Sequence, residues 1–318
     1  MNRLVLIDGN AILHRAYHAL PPLTSPDGKL VNAVYGFTSM IFKIFNELTP
    51  THMAVAFDRP GPTFRQKMYK QYQATRPKMD DELASQIDTV HEVVTAFGIP
   101  IFELDGYEAD DVIGTLSHRA KQAGIDQIII VTGDRDILQL VDDKTLAYMP
   151  TRGLSEAKLY EVKDVVERMG VGPQQVIDLK ALAGDASDNY PGVSGIGPKT
   201  AVALLREFGS INKLYKTLSA KPKAKGISEN IAVKLRAGQK NAQLSQDLAT
   251  IRLDVPLPGS IETTHVETLN TQAAHDILTK LNFHSLIKRL DKKATPKLKP
   301  KQKHDKNKPD DNGQLSLV

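Results

Sequence analysis

The 318-residue chain contains no cysteine, which excludes a disulfide framework, a thiolate nucleophile and any Cys-ligated zinc site. No apolar run approaches the roughly 18 residues a membrane span requires, and no basic-then-apolar leader opens the chain. Net charge is also scarce: the formal balance is +4, with 41% hydrophobic and 25% charged residues. That composition excludes disorder throughout, because a disordered chain combines low hydrophobicity with high net charge. The length suits two ordinary domains or one large one. The expectation is a soluble cytoplasmic protein with no membrane contact.

The small total hides an asymmetry. Residues 288–308 hold ten Lys/Arg against Asp291 and Asp305, and Asp310 and Asp311 follow, which leaves −2 for residues 1–287. A second basic stretch, 59–78, carries Arg59, Arg65, Lys67, Lys70, Arg76 and Lys78 with no acid at all. Acids elsewhere offset it, and their positions are informative.

The first half alternates short apolar runs with amphipathic helical patterns, which predicts an α/β fold with a mostly parallel twisted sheet. Strands are expected at 4–7, 53–57, 99–102, 127–131 and 145–148. Between them, Leu83, Ile87, Val90, Val94 and Phe97 recur at helical spacing and predict a helix over 82–97 that Gly98 closes. From about residue 160 short helices separated by Gly and Pro take over. Pro173 and Pro198 sit where first helical positions belong, so 184–209 reads as helix end, loop, Gly-rich hairpin and a helix over 198–208. A last helix is expected over 271–290. Beyond Leu290 the Lys/Pro/Asp/Asn-rich composition cannot bury a core, so a disordered basic tail is expected.

The acids fall at the ends of the expected strands. Asp8 ends LVLI, Asp58 ends MAVAF, Glu108, Asp110 and Asp111 follow the 99–102 strand and open a helix near Val112, and Asp134 and Asp136 follow IIIVTG. In an open parallel sheet, the crevice outside the carboxyl ends of the strands is where ligands bind. Asp185 and Asp188, three apart in GDASDN, extend the set from the second half. Taken singly, each acid also fits a helix cap or an acidic first turn. Independent caps, however, have no reason to recur at one edge of one sheet. Nine carboxylates in one cleft cannot all stay ionised without cations. With no Cys available and no His beside the acidic motifs, a pair of Mg²⁺ or Mn²⁺ ions fits better than Zn²⁺. Such a pair suits in-line hydrolysis of a phosphodiester.

Six segments carry a family resemblance: IDGNAILHRAYHA (7–19), AFDRPGPTFR (56–65), YKQYQATRPKM (69–79), GYEADDVIGTL (106–116), VTGDRDILQLV (131–141) and GDASDNYPGVSGIGPKTAVALL (184–205). Together they resemble the 5′ nuclease (flap endonuclease) family, and within it the 5′→3′ exonuclease domains of bacterial DNA polymerase I, over essentially residues 1–290. The resemblance implies a PIN-like nuclease core over 1–160 with a helical arch about 59–82, a helical DNA-binding region over 161–290 with a helix–hairpin–helix at 184–209, and a tail over 291–318. It carries the family's metal-binding acids onto Asp8, Asp58, Glu108, Asp110, Asp111, Asp134, Asp136, Asp185 and Asp188. One ion would be held chiefly by Asp8, Asp58, Glu108 and Asp110, and the other would sit nearer Asp134, Asp136 and Asp185, with Asp111 and Asp188 acting through water. The catalytic set so implied is Asp8, Asp58, Arg76, Glu108, Asp110 and Asp134. The implied partner is DNA with a 5′ flap, nick or free 5′ end, and the implied state is a monomer in a bacterial, nucleoid-associated setting.

Contacts to DNA are expected from two places. At the hairpin, Gly195 and Gly197 let the backbone approach a phosphate, the helix opening at Pro198 faces it, and Lys199 adds charge. The family also binds a monovalent cation there, which implies a K⁺. The stretch is neither a P-loop nor a dinucleotide fingerprint, because Pro198 interrupts the Gly-Lys pair and no strand immediately precedes it. In the arch, Arg65, Lys70 and Arg76 are cations for phosphates and Tyr72 is an aromatic for stacking; Arg15 is a further DNA contact, and neighbouring His14 and His18 read as packing or phosphate-facing. Where relatives carry a lysine aimed at the scissile phosphate, this chain has Gln73. A neutral amide supplies no positive charge to the transition state, so a slower chemical step, or compensation by Lys70, is expected.

The terminal Gln314-Leu315-Ser316-Leu317-Val318 resembles the peptide by which bacterial repair proteins dock on the sliding clamp. It makes the clamp a candidate partner through Gln314, Leu315 and Leu317, and suggests that the chain ends here naturally. The expected activity is structure-specific hydrolysis of DNA phosphodiesters with two metal ions in replication and repair. The rivals are a DNA-junction binding protein with weak or no turnover, which Gln73 favours, and a related acidic-site ribonuclease.

Overall fold

The computed structural model describes residues 1–153, 156–220 and 226–291. The expected disordered tail and the clamp-peptide residues Gln314, Leu315 and Leu317 lie outside them. Along the chain run β1 (Arg3–Asp8), α1 (Gly9–Ala19), α2 (Asn32–Leu48), β2 (His52–Ala56), α3 (Phe64–Met68), α4 (Asp81–Ala84), α5 (Ile87–Ala96), β3 (Ile101–Phe102), α6 (Ala109–Gln122), β4 (Gln127–Val131), β5 (Thr145–Arg152) and β6 (Glu156–Tyr160). The second half is helical: α7 (Val162–Met169), α8 (Val176–Ala183), α9 (Pro198–Phe208), α10 (Ile211–Ala220), α11 (Glu229–Ala237), α12 (Gln239–Ala249), α13 (Gln272–Lys280) and α14 (His284–Asp291).

The six strands lie in the order β3-β2-β1-β4-β5-β6. All neighbouring pairs are parallel except β5 and β6. Alternate side chains point to opposite faces of a strand, and the apolar runs fill both faces here. Val5, Ile7, Val55 and Ile129 pack under α1, α2, α5, α13 and α14. Leu4, Leu6, Ala54 and Ile130 pack under α6 and the segment from Ile251 to Ile261. A third core, with Leu182, Ile196, Leu205 and Leu235, holds the helical region together.

Departures from the expected elements have local causes. The helix expected over 82–97 is two pieces, α4 and α5, separated at Ser85 and Gln86. Gln86 is buried there, and its amide caps the start of α2 by accepting from the Ala33 N–H at 2.8 Å. The helix expected over 271–290 breaks at Asn282, whose φ of 59° is left-handed and ends α13. The expected strand over 99–102 shortens to two residues, and the antiparallel β6 was not anticipated. Its burial pattern carries one buried residue, Tyr160, so it gives no alternating apolar signal.

Candidate metal centre and nucleic-acid interface

Strand β1 sits between β2 and β4, where the order of connection reverses, and the loops at this point part to leave a crevice. Asp8, the last residue of β1, caps α1 by accepting from the Ala11 N–H at 3.0 Å, and its other oxygen accepts from the Thr132 hydroxyl at 2.6 Å. Thr132, just past β4, also accepts from the Asp134 N–H at 2.9 Å. One hydroxyl thereby fixes acids from two strands. Asp58, just beyond β2, accepts from the Ala109 N–H at 2.7 Å in the first turn of α6. Asp134 accepts from the Asp136 N–H at 2.8 Å.

These loops enclose a cleft of about 630 Å³ lined by Asp8, Asp58, Glu108, Asp110, Asp134, Asp136 and Asp188. Seven of the nine sequence-predicted acids therefore share one cavity. An eighth, Asp185, joins Asp136 and Asp188 in a trio whose ligand oxygens all lie within 4.8 Å of one another.

Crowding shows in the ionisation of the acids. Burial, with Asp58 and Asp134 close by, raises Asp8 to about 7. Burial raises Glu108 to about 7, and raises Asp136 to about 7 despite Lys180. Asp110 is pushed well above the usual range, first by burial and then by Asp134, Asp8 and Asp136. Asp58 rises through burial too. An all-oxygen set of crowded carboxylates is the donor chemistry that hard divalent ions take, and the site fits them.

Lys180, on α8, joins the acidic site and was not among the residues expected there. Its ammonium contacts Asp136 and lies 2.6 Å from an Asp185 oxygen. Burial opposes ionisation of Asp185, but Lys180 and Ser187 outweigh it and hold that carboxyl at about 2. The signal available in sequence was its place one helical turn before GDASDN, which in a helix ending at Ala183 turns it towards the acids.

Asp111 has a different occupation. It is 0% exposed and forms a two-pronged ion pair with Arg65 at 2.6 and 2.8 Å. It also accepts from the Arg252 N–H at 2.9 Å and the Glu108 N–H at 3.2 Å. A carboxylate offers about four lone-pair sites, and all of them are used. Arg65, expected at the DNA, is itself 2% exposed and donates to the Leu248 and Thr250 carbonyls at 2.7 and 2.9 Å. Together the pair clamps α3, α6 and the end of α12.

Of the remaining arch residues, Tyr72, Gln73 and Arg76 converge on the cleft. Tyr72 is 4% exposed and donates to Glu108 at 3.1 Å. The Gln73 side chain donates to the Tyr72 oxygen at 3.2 Å and to Asp188 at 3.3 Å, from a left-handed backbone with φ of 56°. Arg76 is in contact with Asp188, and His14 also lines the cavity. Lys70 is exposed and does not line it. At the hairpin, Gly195 takes φ of 76°, Gly197 caps α9 and Lys199 is exposed on its first turn. Arg15 donates to the Gly153 carbonyl at 3.2 Å.

Residues 3–170 match the 5′-3′ exonuclease N-terminal resolvase-like domain, and residues 171–272 match the 5′-3′ exonuclease C-terminal SAM fold. DNA polymerase I of Caldicellulosiruptor bescii is 44% identical over 290 residues, covering 91% of this chain and 33% of that protein. The chain thus spans about a third of the length of the curated relatives it matches. A structure of T5 5′-exonuclease with bound zinc superposes with a TM-score of 0.65 at 21% identity, covering 91% of this chain and 97% of the other. A T5 D15 flap endonuclease in a pseudo-enzyme-product complex with DNA and metal ions superposes with a TM-score of 0.62 at 20% identity, with the same coverage of both chains.

Proposed function

The chain belongs to the 5′-3′ exonuclease family, and from that premise we propose that it hydrolyses DNA phosphodiesters at a 5′ flap, nick or free 5′ end. The observation that carries this reading is the convergence of seven acids from separate loops on one cleft at the carboxyl edge of the sheet. Two Mg²⁺ or Mn²⁺ ions bound there would activate a water and stabilise both oxygens of an in-line displacement. Asp8, Asp58, Glu108 and Asp110 would hold one ion, and Asp136, Asp185 and Asp188 the other, with Asp134 between them. Arg76 supplies positive charge for the scissile phosphate, while Tyr72 braces Glu108 from beneath. Asp111 and Arg65 hold this scaffold in place.

The segment 59–82 acts in this reading as an arch over the 5′ strand, set on the α/β core of 1–160, with its basic stretch at 59–78. The hairpin at 184–209, within the helical region, grips duplex backbone. Phosphate is served there by the first turn of α9 and by Lys199, and a K⁺ by the hairpin carbonyls, one of which, that of Gly195, already accepts from Lys234 Nζ at 3.4 Å. The protein works as a monomer in the bacterial cytoplasm at the nucleoid, with the terminal peptide as a clamp ligand. Among the described residues no helix is long and apolar enough to cross a membrane.

The test is to incubate the purified protein with labelled 5′-flap DNA, blunt duplex and single-stranded RNA, each with Mg²⁺ or EDTA. Flap cutting that needs Mg²⁺ and falls on the order of a thousandfold in Asp134→Ala is expected. Preferential RNA cutting, or binding without cutting, overturns the reading.

A further inference from the structure

The hairpin carries two glycines that the structure puts to different uses. Gly197 caps α9, and a Cβ built there would meet nothing within 4 Å. Gly195, at φ of 76°, has its free side filled. A Cβ there would stand 2.9 Å from Lys234 Nζ, 3.1 Å from its Cε and 3.3 Å from its Cδ. The lysine comes from the last turn of α11 and is half-buried. Its neighbours Ala232 and Leu235 share a core with Val193 and Ile196 of the hairpin. Gly238, which ends α11, closes on Val193 so tightly that a Cβ would come 2.8 Å from the Val193 Cγ1. The helix is seated on the hairpin, and the Lys234 stem lies along Gly195.

The ammonium has donors to spare. Among the described residues it bonds to the Gly195 carbonyl alone, at a long 3.4 Å, and forms no ion pair. An ammonium carries three donors, so two are open. The end of a helix favours a cation through its dipole, which accounts for a lysine in this turn but not for a glycine surface that receives its stem. The N–H groups of Gly195 and Gly197 also donate to no acceptor among the described residues, and the first N–H groups of α9 have none within the helix. Gly197 stands two residues from Gly195, at most about 7 Å along the chain, and Lys199 is exposed on the turn that follows. The hairpin therefore collects free N–H groups, one open glycine and cations from two helices. An anion is the ligand that satisfies all of them.

We propose that Lys234 is a DNA-backbone contact of the hairpin, its ammonium donating to the phosphate that the N–H groups from Gly195 to the start of α9 receive, with Gly195 as the seat that directs it. The inference rests on the nuclease reading and adds a residue to its duplex grip. Gly195 then serves the phosphate at one remove, by making room for the lysine, while Gly197 leaves the space the phosphate enters. A backbone contact carries no base preference, so Lys234 acts on affinity and on its salt dependence.

The experiment follows binding of a labelled blunt duplex in EDTA by fluorescence anisotropy, across about a tenfold range of salt. The proteins are the wild type, Lys234→Met, Lys234→Gln, Lys234→Arg and, as a control for lost charge, Lys280→Met on α13, whose ammonium pairs with Glu92. Each neutral variant at 234 should make the fall of log affinity with log salt shallower by about one, the loss of a single phosphate contact. Across that salt range the difference amounts to about tenfold in affinity. Lys234→Arg and Lys280→Met should keep the wild-type slope. Melting temperatures should stay within about 2 °C of the wild type, because the one hydrogen bond lost is long; a lower melting temperature with an unchanged slope is the mark of a purely structural lysine. A wild-type slope in both neutral variants, or an equal change in Lys280→Met, overturns the role of Lys234 and leaves the nuclease reading standing. A wild type that binds no duplex overturns both.

Discussion

Asp111 is the residue on which family motif and geometry diverge most, and replacing it with alanine separates them. If it is a structural clamp, Asp111→Ala removes four hydrogen bonds, two of them charged, and leaves the Arg65 guanidinium buried. Breaking a buried ion pair from one side costs about 3–5 kcal/mol. Glu108 remains 3.4 Å from Arg65 and partly compensates its charge, which puts the loss near the lower end, about 3 kcal/mol. At about 2–4 °C per kcal/mol for a chain of this size, melting should fall by roughly 6–12 °C. Removing both partners gives an internal check. Arg65→Met combined with Asp111→Leu deletes the unpaired charge, so it should recover part of the loss. Recovery should stop short by about 1–3 kcal/mol, because the Leu248 and Thr250 carbonyls lose their donor. The assay is calorimetry or urea unfolding, paired with Mn²⁺ binding well below the melting range. An Asp111→Ala protein that melts like the wild type yet binds one fewer ion would refute the reasoning and return Asp111 to the ligands.

Three further outcomes follow from the same geometry. The groups raised to about 7, Asp8, Glu108 and Asp136, take up protons in the folded metal-free protein that the unfolded chain binds only near pH 4. The native state therefore gains stability as pH falls from about 8 to about 5; urea midpoints that fell over that range would contradict the burial argument. The same protons must leave before an ion binds, so Mn²⁺ affinity should rise at least about tenfold per pH unit through neutrality, and a flat profile in calorimetric titration would contradict it. Gln73→Lys places a cation beside Asp188, where Gln73 now donates only an amide hydrogen. Single-turnover flap cleavage should accelerate about tenfold, and an unchanged rate would mean that Arg76 already meets the need.

The fold was legible where the physics is local and one-dimensional. Apolar runs such as LVLI and QIIIV announce buried strands because both faces of this sheet are covered, and Pro198 after Gly197 marks the start of α9 to the residue. What escaped depends on partners distant in sequence. Gln86 breaks a helical repeat because its amide is needed by Ala33, 53 residues away. Asn282 ends α13 in a left-handed turn, although nothing in the apolar spacing interrupts there. The segment from Ile251 to Ile261 carries no regular pattern, yet it returns to cover α6 in the nuclease core. A periodicity cannot reveal a return of this kind.

The site shows the same division more sharply. Strand ends placed Asp8, Asp58, Asp134, Glu108 and Asp110 at one edge, and the cleft unites them. Sequence could not say which acids stay free for cations, because that depends on which lone pairs the fold has already used. Asp111 differs from its neighbour Asp110 by one position on α6, or about 100° of helix turn. That rotation takes its carboxylate out of the cleft and into the guanidinium of Arg65. Asp185, by contrast, keeps its charge because Lys180 stands beside it. A nine-acid motif thus resolves into acids poised for ions, acids balanced by a lysine, and one acid spent on holding the arch to the core. Asp8 and Asp110 are raised with no cation beside them to lower them, so metal should bind there with the largest release of protons.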